Sequence, residues 1–196
     1  MTSYLPDMYS ETAFICISPI SGVEHEYMTI TETIGLKVGD KDIDVRNTVA
    51  GGRLVKFNPQ DVSEVTIEAY PVLVSTISTT AGTAGTGFAD LFNTNADVTD
   101  PISITNDRTR QKVRCAILWT TDTAATKATQ ATAVTSAGFR MTFKNGYVTQ
   151  YDEDFTGGEK KATIKMRFPA FNKAGAGNIT QESADGVALP AVSAYT

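Results

Sequence analysis

The sequence predicts a mainly β protein, a β-sandwich or split β-barrel with a short flanking helix and a long protruding hairpin, and three observations carry that prediction. The clearest is residues 162–168, where Ala162, Ile164, Met166 and Phe168 fall on one face and Thr163, Lys165 and Arg167 on the other, the period of two that marks a half-buried strand. A second run, residues 139–143, alternates in the same way and is followed by Asn145-Gly146, a pair that tolerates the positive φ angles of a tight hairpin turn. Residues 138–178 therefore read as three successive strands with their turns. The third observation is composition. At 196 residues, with 41% hydrophobic and 20% charged residues and an excess of Thr, the chain can bury the core of one all-β domain.

The remaining elements follow from the amino terminus. Residues 1–13 read as a polar arm, and residues 14–17 as a first apolar strand. Residues 24–34 alternate again, Glu26, Met28, Ile30, Glu32 and Ile34 against His25, Tyr27, Thr29, Thr31 and Thr33, a single strand whose mixed face suits a partner or solvent. Over residues 35–59, Gly39-Asp40 and Gly51-Gly52 punctuate two short strand-like pieces, 41–46 and 53–57, before Asn58-Pro59, which predicts the long hairpin. Residues 62–70 form a strand with Val65, Ile67 and Ala69 opposed to Glu64, Thr66 and Glu68. Within the Thr/Gly/Ala-rich residues 75–99, Phe88, Leu91 and Phe92 are spaced for one face of a short helix at 87–93. Residues 113–121, with the lone Trp119, give a strand, and the Ala/Thr-rich residues 122–137 a loop. Asp152-Glu153-Asp154 reads as an acidic loop, and residues 172–196 as a carboxy-terminal arm, either an ordered strap or a flexible one.

Chemistry is sparse. The one histidine, His25, lies between Glu24 and Glu26 in an alternating run, the place of a surface strand residue rather than of a catalytic base or metal ligand. Cys16 and Cys115 each sit in an apolar run and read as buried thiols, with no spacing that suits zinc. The sequence holds no Gly-x-x-x-x-Gly-Lys-Ser/Thr loop and no Gly-x-Ser-x-Gly elbow, and Gly85-Thr86-Gly87 lacks the third glycine of a dinucleotide fingerprint. Asp152, Asp154, Thr156 and Gly157 open like a calcium loop, but Thr163 stands where the bidentate glutamate belongs. Lys160, Lys161, Lys165 and Arg167 read as the charged outer face of a strand. The formal charge of −5 excludes a general nucleic-acid binder, whose phosphate contacts need a basic patch. The expectation is therefore a protein that is not an enzyme and uses no cofactor and no metal. Residues 1–20 lack the basic start of a secretory signal and no run approaches 18 apolar residues, so the chain is expected to be made in the cytoplasm without membrane insertion.

Gly39-Asp40-Lys41-Asp42 leading into Gly51-Gly52-Arg53, the Glu-lined strand to Pro71, Gly146-Tyr147-Val148-Thr149, Phe155-Thr156-Gly157-Gly158-Glu159 and the 162–168 strand together resemble the major tail tube proteins of tailed bacteriophages and tailed archaeal viruses. The resemblance covers about two-thirds of the chain in order. It implies a structural virion protein: hexameric rings whose inner strands line a channel, stacked through the long hairpin and terminal arms into the conduit for genome delivery. The implied location is the virion tail, assembled in the host cytoplasm. The implied partners are further copies of the chain and other tail proteins such as the terminator, tape measure, baseplate or tip. DNA would pass without specific binding, because an acidic lining gives it no counterion-release gain. On this reading Lys37, Asp40, Lys41, Asp42, Asp44, Arg46 and Arg53 of the hairpin are the candidate contacts between rings. Glu64 and Glu68 of one copy are expected to meet Arg140, Lys165 and Arg167 of the next. The alternatives are a related tube or baseplate protein of a phage-like injection or secretion apparatus, and a non-viral β-sandwich binding module.

Overall fold

The computed structural model describes residues 13–19, 25–27, 29–71, 112–132, 136–172, 174–184 and 187–192. These form ten strands: β1 (Ala13–Pro19), β2 (His25–Tyr27), β3 (Thr29–Lys37), β4 (Ile43–Asn47), β5 (Arg53–Phe57), β6 (Ser63–Pro71), β7 (Val113–Thr120), β8 (Gly138–Thr156), β9 (Glu159–Phe168) and β10 (Ile179–Ala184). No helix occurs among the described residues, and the predicted helix at 87–93 lies outside them. Eight strands make one sheet in the order β2-β1-β7-β8-β9-β6-β3, with β10 also on β8, while β4 and β5 form a separate two-stranded ribbon.

The sheet is curled into a half-barrel, and β8 is the strand about which it bends. Its first part, from Gly138 to Gly146, pairs with β7, and its second, from Tyr147 to Thr156, pairs with β9. Two bulges mark the passage. Between Phe143 and Gly146 β8 carries one residue more than β7, and Asn145 takes the left-handed conformation at φ 59°. Thr149 is a second extra residue, opposite the step from Met166 to Lys165. Each bulge bends its strand and sharpens the local twist. Asn145-Gly146 is thus a bulge and not the predicted hairpin turn, so that two strands stand where three were expected. The chain reverses later, at Gly157 and Gly158, whose φ angles are 68° and 89°. Asp152, Glu153 and Asp154 accordingly lie in β8 rather than in a loop.

The bend brings apolar side chains from both halves into one core. Ile15 and Ile17 of β1, Cys115 and Ile117 of β7, and Met141 and Phe143 of β8 pack with Val65 and Ile67 of β6 and with Ile164, Met166 and Phe168 of β9. Phe143 and Phe168 meet with ring centroids 5.2 Å apart. A second cluster lies on the reverse of β1 and β7, where Cys16, Ala116 and Leu118 pack against Ala128 and Leu189. β7 is therefore buried on both faces, which explains its unbroken apolar run. The lid of this second cluster is made by residues 121–132 and 187–192, joined by the Thr132 amide donating to the Leu189 carbonyl at 3.2 Å and the Val192 amide donating to Thr129 at 2.8 Å.

Two further expectations change. The alternating run 24–34 is not one strand: His25–Tyr27 pairs with β1 and Thr29–Lys37 with β6, in opposite halves of the sheet. Within the residues expected as a carboxy-terminal arm, Ile179–Ala184 form a sheet strand, β10, paired to β8 from Phe143 to Gly138.

Candidate functional site

Two projections stand at opposite ends of one half-sheet. Lys37 pairs with Glu64 and Ser63 with Phe168, so the excursion between β3 and β6 leaves at the Phe168 end of β9. The β8–β9 turn stands at the other end, beyond Glu159. Along a strand rising about 3.3 Å per residue, the two are separated by roughly 30 Å.

The first projection, the β4–β5 ribbon, rises from a tight neck. The Gly39 amide donates to the Ser63 hydroxyl at 2.9 Å, Gln60 donates to the Gly39 carbonyl at 3.0 Å, and the Asp61 and Asn58 amides donate to the carbonyls of Asp40 and Asp42. Gly39 is required by close approach, since a Cβ there would sit 1.9 Å from the Asp61 carbonyl oxygen. At the far end the Thr48 amide donates to the Gly52 carbonyl at 2.7 Å, closing the tip. Pairing of Ile43 with Phe57 and of Val45 with Val55 gathers four apolar side chains on one face, and Asp44, Lys56, Arg46 and Leu54 share the other. All four of the apolar set are exposed, Phe57 at 65%. Lys41 lies over the Phe57 ring at 5.8 Å, and Arg46 pairs with Asp44 at 2.9 Å. A lone two-stranded hairpin is at best marginally stable in water, and an exposed apolar patch on a soluble protein marks a docking surface. The sequence-predicted residues Asp40, Lys41, Asp42, Asp44, Arg46 and Arg53 all belong to this neck and ribbon, while Lys37 ends β3 beside it. Reading the hairpin by its charges overlooked its apolar face, although the alternation Ile43, Val45 and Val55, Phe57 is visible in the sequence.

The charged face of β6 and β9 is arranged differently from the expectation. Arg167 donates to Glu64 at 3.1 Å and Lys161 pairs with Glu68 at 3.1 Å, both within one chain, because the antiparallel register sets Glu64 opposite Arg167 and Thr66 opposite Lys165. Arg140 does not share this face at all. It is 1% exposed, with Nε and Nη2 on Glu182 Oε2 at 2.9 and 2.7 Å, Nη1 on the Gln130 carbonyl at 3.1 Å and Nη2 on the Pro190 carbonyl at 2.6 Å. Alternation placed it opposite Met141, but that side is covered by the lid. Reversal of Lys165 and Arg167 to Glu is expected to cost the folded chain no more than about 1 kcal/mol, the ordinary worth of an exposed strand pair plus the like charge set against Glu64. A chemical denaturation curve checks this, and a loss well beyond that figure would mean the face is not solvent-exposed.

The second projection, the β8–β9 tip, carries Phe155 at 73% exposure. Beside it Lys160 pairs with Glu153 at 2.8 Å and the Tyr151 hydroxyl donates to Glu153 at 2.6 Å. Burial alone would raise the Glu153 pKa, but the Lys160 ammonium and the Tyr151 hydroxyl outweigh it and hold the carboxyl below the ordinary glutamate value. Since the folded pKa is depressed, this pairing is complete above the ordinary glutamate range and is lost as pH falls through the lowered value. NMR titration should show the Glu153 midpoint below that of an unperturbed glutamate side chain. Among the described residues no group of three His, Cys, Asp or Glu is placed to hold a metal ion, and no helix is long and apolar enough to cross a membrane.

No family model matches this sequence, and no curated protein matches it. Among solved structures the fold is similar to a chain of the sheath–tube complex of an extracellular contractile injection system in its extended state, at 10% identity and TM-score 0.49 over 94% of this chain and 100% of that one. It is also similar to a chain of the sheath/tube terminator of such a system, at 9% identity and TM-score 0.47 over 86% and 92% of the two chains. A third similar structure is Hcp1 from Flavobacterium johnsoniae, at 10% identity and TM-score 0.36 over 88% and 98%.

Proposed function

We propose that this chain is the structural subunit of a tail-tube-like assembly: copies close into rings, six-membered as the sequence resemblance implies, and the rings stack head to tail into a hollow tube that conducts the genome from a viral tail. The observation that carries the reading is the β4–β5 ribbon, an apolar β surface that projects from one end of the subunit as a separate sheet, with its strand edges and its Ile43, Val45, Val55 and Phe57 face open. A ribbon at one end meets a different surface on its neighbour, and such a heterologous contact propagates without closing, which builds a filament rather than a dimer. The hairpin charges, Asp40, Lys41, Asp42, Asp44, Arg46 and Arg53, rim the apolar contact between rings, in the way polar residues rim other interfaces. The ends of the tube take a terminator and a baseplate or tip, its lumen a tape measure and then DNA, and the particle is built in the host cytoplasm.

One observation favours a second reading, the tube of a phage-like injection or secretion apparatus. The open face of β3, β6, β9 and β8 balances Lys37, Lys161, Lys165 and Arg167 against Glu64, Glu68, Asp152 and Asp154 in adjacent rows, so it is self-neutralised and suits a protein cargo as well as a nucleic acid.

Tube formation is tested by light scattering and negative-stain microscopy of the purified protein at rising concentration. Intact chains should give hollow tubes. A variant with residues 43–57 replaced by a short glycine turn should melt as the parent does yet remain in single rings or subunits, because the ribbon contributes to no core cluster. Intact chains that stay monomeric at high concentration, or ribbonless chains that still polymerise, would overturn the proposal.

A further inference from the structure

We infer that the surface receiving the β4–β5 ribbon is the β8–β9 tip of the copy in the next ring, with Phe155 as its anchor. The inference rests on the stacking reading above and names the partner surface that reading leaves open. Position comes first: the ribbon leaves the half-sheet at the Phe168 end of β9 and the tip stands at the Glu159 end, so head-to-tail stacking brings one copy's ribbon to the next copy's tip. Charge comes second. Residues 43–57 hold three basic side chains and one acidic, whereas residues 152–161 hold four acids and two lysines, so the two projections carry opposite net charges of two units each. Apolar surface comes third. The ribbon offers Val55 and Phe57 at 52% and 65% exposure, and the tip offers Phe155 at 73%, the large aromatic type that anchors interfaces when it is enclosed. The tip is stiff enough to act as a fixed receiver, because the Lys160–Glu153 pair ties β9 to β8 and the Tyr151 hydroxyl, on β8 itself, holds the Glu153 carboxylate in place.

Cysteine cross-linking tests this directly. A chain carrying Val55→Cys and Phe155→Cys, assembled and then oxidised or treated with a short bis-maleimide, should give a ladder of covalent oligomers under denaturing electrophoresis, while either single variant gives none. Both sites are exposed, so the variants should fold, and Cys16 and Cys115 are fully buried and do not compete. A charge arm accompanies it: Arg46→Glu with Lys56→Glu should abolish tube growth, and adding Asp152→Lys with Asp154→Lys to the same chain should restore it. If the intact protein forms no tubes, the stacking reading has failed and this contact with it. If intact chains form tubes but the double cysteine variant gives no ladder, or the paired reversal restores nothing, the tip is not the receiver while the tube stands.

Discussion

Replacing Gly146 by Ala should cost the fold about 3 kcal/mol, well beyond what one methyl group ordinarily costs. An added Cβ would lie 2.2 Å from Phe168 Cδ1, 2.3 Å from Cε1 and 2.7 Å from the Arg167 carbonyl oxygen. Neither neighbour has room to yield: the oxygen belongs to the β9 backbone beside the Tyr147–Arg167 pair, and the Phe168 ring is fully buried against Phe143. Overpacking a tight core costs about 1–3 kcal/mol, and here the backbone contact adds to it. For a chain of this size 1 kcal/mol moves the melting temperature by roughly 2–4 °C, so a drop of about 6–12 °C is expected. Phe168→Ala is destabilising alone, but in the Gly146→Ala background its cost should shrink, since it opens the space the methyl needs. Strict additivity of the two changes, or a melt within a degree of the parent, would show that the close approach at the bulge does not constrain this position.

Loss of Arg140 is expected to be the most damaging single change. Its guanidinium joins β8 to the lid loop at Gln130 and to the carboxy-terminal stretch at Glu182 on β10 and Pro190 in the strap. Arg140→Ala leaves two carbonyls short of a charged donor and a cavity beneath the lid. Hydrogen bonds to a charged group are worth about 1.5–3 kcal/mol each, and breaking a buried pair by removing one partner costs about 3–5 kcal/mol. Glu182 is partly exposed and recovers some hydration, so about 4 kcal/mol is expected. The damage should be directional: amide exchange at Thr132 and Val192, which tie strap to loop, should rise before that of the β9 core. Arg140→Lys should recover little, because a lysine cannot reach the three acceptors in one plane. Uniform exchange across the whole sheet would instead mean that Arg140 supports the core generally and not the strap.

The sequence made the strands and their inner faces legible wherever one face of a strand meets water. Residues 162–168 and 62–70 alternate cleanly, and the structure pairs them as β9 and β6 with Ile164 opposite Ile67 in the core. Where both faces are covered, alternation loses its meaning. Arg140 and Met141 look like opposite sides of a half-exposed strand, yet both are buried, because a lid made from residues 121–132 and 187–192 has no apolar period of its own. Asn145-Gly146 was misread for a related reason: a left-handed residue serves a bulge as well as a turn, and only the partner strand decides which. The acids and bases of β6 and β9 were legible as an outer face, but their meeting within one subunit depends on a register that spans about a hundred residues of sequence. The ribbon was foreseen as a hairpin, and its apolar face was there to be read in Ile43, Val45, Val55 and Phe57.

The pairing of β1 with β7 joins Ala13 to Trp119 and Pro19 to Val113. An amino-terminal strand that finds its partner a hundred residues later must wait during synthesis until the middle of the chain has emerged, and loop closure over that span is entropically costly. Topologies dominated by such distant pairings fold in milliseconds to seconds. Until β1 docks, the apolar edge of β7 stands unprotected, and nascent chains of this kind are prone to pair with one another wrongly. The rate at which β1 closes onto β7, measurable by stopped-flow refolding followed at Trp119, should therefore set the concentration above which freshly made chains aggregate instead of folding.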